Sequence, residues 1–307
     1  MEAASKPRIG VLGIPYNVGW KGEGIDEEPK ALRASGLIEH LASLQLDVTD
    51  IGDVQCRLPS KDQSNPNLLN SAQVIAVCKD IPSRVVECVR SGVFPLILGG
   101  EDSVLMGILE GLQQAFPNRR IGLIYLDAHG DFNTPETTPS GLIGGMNVAV
   151  VTGRGPMELT AIFGHQPQIP EEAIVLFGAR DLDSTEKAAL ENSKVHVLTT
   201  EQVKDMGPDE AMISVFQMLK PYVDKVYLHM DVDVLDPYVM SALILPVPNG
   251  LTFEECSSAF KAAAQSGLIC GAAVMVFNAR RDPMGTEAKK VVELIGSLCG
   301  ALRLRND

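Results

Sequence analysis

IGLIYLDAHGD at residues 121–131 and KVYLHMDVDVLDP at residues 225–237 are built alike. In each, an aliphatic, β-branched run drives into an aspartate, skips one residue and presents a second side chain able to bind a metal. A strand alternates its faces with a period of two, so Asp127 and His129 are expected on one face, and Asp231 and Asp233 likewise. Asp131 follows in the turn. A single Asp-x-Asp after a strand is ordinarily a turn or a helix cap. Two such clusters, one holding one of only five histidines in the chain, point instead to a metal centre. Charges crowded at the ends of two buried strands repel one another unless cations intervene. Four carboxylates and one imidazole suit two hard or borderline divalent ions with shared ligands, and such a pair activates water for hydrolysis.

Around these clusters, short apolar runs alternate with helical patterns. Strands are expected at 8–14, 95–98, 122–126, 173–177, 195–198, 226–230 and 270–277, and helices at 29–44, 102–116, 186–191, 201–219, 253–264 and 286–302. Thr252 and Glu255 form the pattern of a capping box. Strands alternating with helices imply a parallel sheet covered on both faces, with ligands bound beyond the carboxyl ends of the strands. Both acidic clusters fall there, as does GGEDS at 99–103. Residues 58–70 read as a polar surface loop without an assigned role.

The 307 residues are 45% hydrophobic and 21% charged, as in a globular protein with a large core, and no linker divides them, so one domain over 1–307 is expected. The net charge of −13 argues against nucleic acid or an anionic membrane as a partner. The six cysteines are scattered with no Cys-x-x-Cys pair, and the N-terminus shows neither a signal peptide nor a long apolar run. A reducing cytoplasm is therefore the expected compartment.

DAHGDFNTPETTPSG, HMDVDVLDP and GGEDS together resemble the ureohydrolase family of arginases and agmatinases, as do GIPYNVGWKGEGIDEEPKALRASGL and GARDLD. The resemblance runs from about residue 8 to about residue 300. It implies a three-layer α/β/α fold around an eight-stranded parallel sheet, two Mn²⁺ ions, and a trimer or hexamer; the chain stops at GALRLRND without a long tail to bridge subunits. It also implies that Asp127 and Asp231 bridge the ions, that His129 and Asp233 complete one site, and that Asp131 belongs to the other. Where the family places a further histidine ligand in this turn, the chain has Asp102, so that position becomes all-oxygen. His229, on the strand face of Asp231, is either a partner of that ligand or a buried histidine bonded to backbone.

Other positions depart from arginase. Gly144 stands where the family has a proton-shuttling histidine, and Val276 where a glutamate meets the substrate guanidinium. SALILPVPN at 241–249 replaces a turn rich in threonine and small residues. The opposite end matches: Asn133, Thr138 and Ser140 resemble contacts to an α-carboxylate, and Asp181, Asp183 and Glu186 contacts around an α-amino group, with Leu142 an apolar exception. The expected activity is hydrolysis of a C–N bond in the guanidino or related group of an arginine-like amino acid, with a distal group less basic than arginine's, such as N-hydroxyarginine. Asp233 is the expected catalytic group, holding the nucleophilic water and relaying its proton. Rival readings are an ordinary arginase, lactam-forming chemistry on an amino acid, and a non-catalytic family member.

Overall fold

The protein is described by a computed structural model covering residues 7–18 and 23–302. Readings that fall on residues 1–6, 19–22 and 303–307, including the N-terminal leader and the C-terminal tail, lie outside the described residues.

Eight strands form one sheet: β1 (Arg8–Gly13), β2 (Asp47–Asp53), β3 (Phe94–Leu98), β4 (Ile121–Leu126), β5 (Ile174–Ala179), β6 (His196–Thr199), β7 (Lys225–Asp231) and β8 (Ile269–Met275). The spatial order is β2-β1-β3-β8-β7-β4-β5-β6. Every pairing is parallel. All residues of β3, β4, β5 and β8 are buried, which is why their sequences read as unbroken apolar runs instead of alternating ones. The chain leaves β3, passes over two places to β4, continues outward to β6, and returns to fill the gap with β7 and β8. The break in strand order between β3 and β4 creates the crevice that such sheets use for ligands. The four central strands, β3, β8, β7 and β4, all end at it.

The connecting helices are α1 (Glu28–Ala34), α2 (Leu37–Ser43), α3 (Ser71–Arg90), α4 (Leu105–Ala115), α5 (Asn147–Val151), α6 (Met157–Thr160), α7 (Ser184–Glu191), α8 (Thr200–Met206), α9 (Pro208–Leu219), α10 (Phe253–Gln265) and α11 (Thr286–Ala301). Two expected helices are each divided. Gly36, at φ 88°, separates α1 from α2, and Gly207-Pro208 separates α8 from α9, because glycine adopts the left-handed turn and proline restarts a helix at its first position. The capping box at Thr252 and Glu255 starts α10 as its pattern indicates.

β2 and α3 are not anticipated by the sequence pattern. β2 is a half-exposed edge strand carrying three aspartates, so its apolar signal is weak. α3 contains Pro82, a helix breaker in isolation, yet Pro82 is buried against α4. A Cβ on Gly111 would lie 2.6 Å from Val85 and 3.1 Å from Pro82 Cα, so tight helix packing holds α3 in register around the proline. The 58–70 segment contains no helix or strand, as expected. It backs the crevice loop, with the Leu69 N–H donating to the Gly141 carbonyl at 2.9 Å.

Candidate metal centre and active site

β4 ends at Leu126, so a turn, not a shared strand face, brings Asp127 and His129 together. Asp127 Oδ1 accepts the His129 N–H at 2.6 Å, and Asp231 Oδ1 accepts the Asp233 N–H at 2.7 Å. Both clusters therefore make the same side-chain-closed turn, which two residues of separation allow. The turns are also joined: the Ala128 N–H donates to Asp233 Oδ1 at 3.1 Å, and His129 Nδ1 lies 3.2 Å from Asp127 Oδ1 and 3.1 Å from Asp233 Oδ2. Behind them Arg180, from GARDLD, donates to the carbonyls of Asp233 (2.8 Å), Val247 (2.9 Å) and Pro248 (3.1 Å), bracing the turn after β7 against the 241–249 loop. The sequence reading gave Arg180 no role. A half-buried guanidinium that meets several carbonyls is recognisable only in three dimensions.

Ligand atoms of Asp127, His129 and Asp233 lie within 4.8 Å of one another, and so do those of Asp102, Asp127 and Asp131. Atoms bound to one ion at about 2.0–2.4 Å are at most about twice that distance apart, so each trio has the size of a metal site. Asp127 is common to both. Asp231 is buried on the same floor but belongs to neither trio.

The electrostatics agree with that geometry. Burial, then the charge of Asp233, pushes Asp127 up to about 7. Burial and neighbouring aspartates hold Asp131 and Asp231 well above the usual carboxylate range. Burial also opposes the charged forms of Asp233 and His129, but their mutual attraction prevails, keeping Asp233 below its ordinary value and His129 above. Buried carboxylates that repel one another are what two divalent ions would relieve.

Asp102 opens a short 3₁₀ turn after β3, beside residues the sequence reading did not select. The Tyr125 hydroxyl lies 2.8 Å from Asp102 Oδ2 and 2.5 Å from Asp131 Oδ2. A phenol carries one proton and can donate to only one of them, so the second contact needs a proton on a carboxyl or a cation in its place. Asn147 Nδ2 lies 3.4 Å from both Tyr125 Oη and Asp131 Oδ2. Glu101 is a sixth buried carboxyl on the floor, bonded by the Ser103 hydroxyl and raised well above its ordinary value by burial and then by Asp102. It fills space that a side chain at 144 would need: a Cβ on Gly144 would sit 2.5 Å from Glu101 Oε1 and 3.1 Å from Asp102 Oδ1. Tyr125 had a usable signal, lying two residues before Asp127 in the same period. Glu101 had none, because strand alternation faces only one of two adjacent residues inward, whereas here the extended Glu101 and the first residue of the 3₁₀ turn, Asp102, both line the cavity.

His229 takes neither of the roles considered for it. Its Nδ1 meets the Tyr227 hydroxyl at 3.1 Å, and its ring stacks on Tyr125 across the β4–β7 pairing at 4.7 Å and 10°. Burial lowers its pKa to about 3, so it is a neutral aromatic spacer behind Tyr125.

The cavity is about 370 Å³, and its floor is closed by Val276, Gly144 and Gly145 beside the carboxylates. Val276 follows β8 with φ 69° and donates its N–H to the Gly100 carbonyl at 2.9 Å. A β-branched residue at positive φ costs about 1–3 kcal/mol, and such strain gathers at binding sites. The rim carries Asn133, Thr138, Ser140, Asp181, Asp183 and Glu186 together with Leu142, Ile244 and Leu245. Most rim polar groups also hold local structure. Asp183 and Glu186 form the capping box of α7, and Asn133 Nδ2 donates to Asp183 Oδ2 at 3.0 Å. Glu186 Oε1 accepts the Phe132 N–H at 2.8 Å, and Thr138 Oγ1 accepts the Gly141 N–H at 3.0 Å. Asp181 is exposed, 4.0 Å from His129 Nε2.

With this geometry in place, the comparisons with known proteins agree with one another. The profile of the Arginase family matches residues 7–300. The arginase of Bacillus caldovelox is 35% identical over 294 residues, covering 95% of this chain and 98% of that protein. The arginase of Bacillus subtilis strain 168 is 34% identical over 292 residues, covering 95% and 97%. The solved structure of the Bacillus caldovelox arginase superposes with a TM-score of 0.88 at 36% identity, covering 96% of this chain and 99% of that one.

Proposed function

The chain belongs to the arginase family, whose members are metal-dependent hydrolases of guanidino C–N bonds, and on that premise we propose that it cleaves a C–N bond at the distal end of an arginine-like α-amino acid whose distal group is less basic than arginine's guanidinium. N-hydroxyarginine is the example that fits. One observation carries the reading: Val276 and Gly144 give the floor an apolar wall, and its carboxylates are all drawn into the cluster of Asp102, Asp127, Asp131, Asp231, Asp233 and Glu101. A guanidinium cation would have no counter-charge of its own there.

We assign Asp127, His129 and Asp233 to one divalent ion and Asp102, Asp127 and Asp131 to the other, with Asp231 shared between them; both are Mn²⁺ in this reading. When bound, the two ions supply Lewis acidity and an activated water. The remaining chemistry belongs to the chain. Asp233, whose Oδ1 accepts the Ala128 N–H at 3.1 Å, is the carboxylate that would accept the proton from the attacking water and deliver it to the departing nitrogen as the C–N bond breaks. The α-carboxylate is met by Asn133, Thr138 and Ser140, and the α-ammonium by Asp181, Asp183 and Glu186. That anchoring sets the distance from the substrate's amino-acid end to the floor. A single domain over 1–307, acting in the cytoplasm as a trimer or hexamer, completes the proposal.

The test is steady-state kinetics of Mn²⁺-loaded protein on arginine, N-hydroxyarginine and agmatine. The expected order of kcat/KM is N-hydroxyarginine, then arginine, then agmatine. A preference for arginine over N-hydroxyarginine would make the protein an ordinary arginase and withdraw the reading of Val276.

A further inference from the structure

Six carboxyls and one imidazole crowd the floor, but they are not evenly distributed. The trio at His129 offers a ring nitrogen and two carboxylates, whereas the trio at Asp102 offers oxygen alone. More oxygen surrounds the second trio. The Tyr125 hydroxyl touches both Asp102 and Asp131, and the Asn147 side chain lies against the same group. Asn147 is fully buried, and its Oδ1 has no hydrogen-bond partner. A buried amide oxygen left unpaired costs about 1–3 kcal/mol, so something is expected to meet it. Turning the amide over exchanges its oxygen and nitrogen and would present a neutral oxygen to the Tyr125–Asp131 side. Glu101 lies beside Asp102, in room that exists because residue 144 has no side chain. Among the described residues, no histidine or cysteine joins this trio.

Resting on the dinuclear reading above, we infer that the two metal positions are chemically unlike: when Mn²⁺ and Zn²⁺ compete, the oxygen-only position of Asp102, Asp127 and Asp131 keeps the hard Mn²⁺, and the position containing His129 is the one that takes the borderline Zn²⁺. Carboxylate, amide and phenol oxygens suit hard cations, and an imidazole nitrogen favours Zn²⁺. Raw affinity follows the same order of metals at both positions, so the difference lies in the ratio of Zn²⁺ to Mn²⁺ affinity. Exchanging an imidazole for carboxylate oxygen is expected to move that ratio away from Zn²⁺ and towards Mn²⁺. Shared Asp127 contributes equally to both sites, and the contrast therefore comes from His129 against the group around Asp102.

Two readouts other than turnover test this. Metal-free protein would be given one equivalent of Zn²⁺ and excess Mn²⁺, and the retained metals counted by elemental analysis. Electron paramagnetic resonance would then separate isolated Mn²⁺, with its six-line pattern, from exchange-coupled Mn²⁺ pairs. The expected result is one Zn²⁺ and one isolated Mn²⁺ in most chains. Random filling would instead leave coupled pairs in about a quarter of the chains, by simple counting, and would overturn the inference. Asp102→His should equalise the positions and make coupled pairs appear. If Asp102→His does not fold, His129→Asp should equalise them from the other direction. An isolated-Mn²⁺ spectrum that persists in a folded equalised variant would also overturn the inference. Fewer than one metal per chain after loading with Mn²⁺ alone would be a different failure, that of the dinuclear reading itself.

Discussion

The floor and the rim of the cavity are both polar, but they satisfy their polar groups in opposite ways. On the rim, Asn133, Asp183 and Glu186 bond one another and the start of α7, so each side chain has a partner before any substrate arrives. On the floor, Asp127, Asp131 and Asp231 are buried among like charges, with pKa values raised by burial first and by a neighbouring aspartate second, Asp233 for Asp127 and Asp231 and Asp127 for Asp131. A satisfied group can be structural and still bind a ligand. A buried, mutually repelling group is costly in itself and persists where a ligand relieves it. The floor is therefore the stronger evidence of function, and the rim the weaker.

The sharpest way to break this contrast is to remove what the floor holds. Chelation should abolish activity and lower Tm. Saturating Mn²⁺ at about 100 times its Kd should restore about 2.7 kcal/mol of stability. Asp127→Ala or Asp231→Ala should lower kcat/KM at least about a thousandfold, with metal content falling alongside, because each is assigned to both ions. Metal-independent activity in either variant would end the metal reading.

The rim should respond less. Agmatine, which lacks the α-carboxylate, should lose about 2–3 kcal/mol in transition-state stabilisation relative to arginine, because groups placed to meet that carboxylate are left unpaired. Equal kcat/KM for the two would mean that the rim is only scaffolding.

The exchange of Asp102 and Val276 should have an intermediate effect, on substrate choice more than on rate. Asp102→His with Val276→Glu is expected to shift the ratio of N-hydroxyarginine to arginine turnover about tenfold towards arginine, and by more than the two single changes combined. Val276→Glu alone should be poor, since it adds a seventh carboxyl to a crowded floor. A double-mutant ratio equal to the product of the singles would show that the two positions are independent.

The smallest effect is expected at Glu28, just outside the site. It is fully buried in α1, with Oε2 accepting the Phe277 N–H at 2.9 Å and Oε1 unpartnered. Burial raises its pKa well above the ordinary value. Between the unfolded and folded values the native state keeps a proton that the unfolded chain releases, so its contribution to stability falls as pH rises through that window. Glu28→Gln keeps the acceptor and removes the charge. It should raise Tm by about 2 °C at pH 8, for about 1 kcal/mol, and by less at pH 5. A larger gain at the acid end would contradict this sign.

Sequence alone was enough for the sheet's central strands and for the acidic clusters at their ends, though not for the turns that bring each pair together. Buried parallel strands write their burial directly as apolar runs, and Asp-x-His and Asp-x-Asp at their ends state the chemistry in five residues. Resemblance extended this to Asp102, Gly144 and Val276, since each departs from a motif at a definite place. β2 was not legible because an edge strand needs little apolar surface, and α3 was hidden by Pro82, which only its packing against α4 accommodates. Within the site, Glu101, Asn147 and Arg180 emerged only from the fold, and the contacts of Tyr125 with Asp102 and Asp131 did too. Their roles depend on which oxygen lies beside which carboxylate, and that proximity is created by bringing the ends of β3, β4, β7 and β8 together across more than a hundred residues of chain. A chain can announce its metal-binding side chains locally, because local turns present them. It cannot announce the partners that tune them, because those come from other strands.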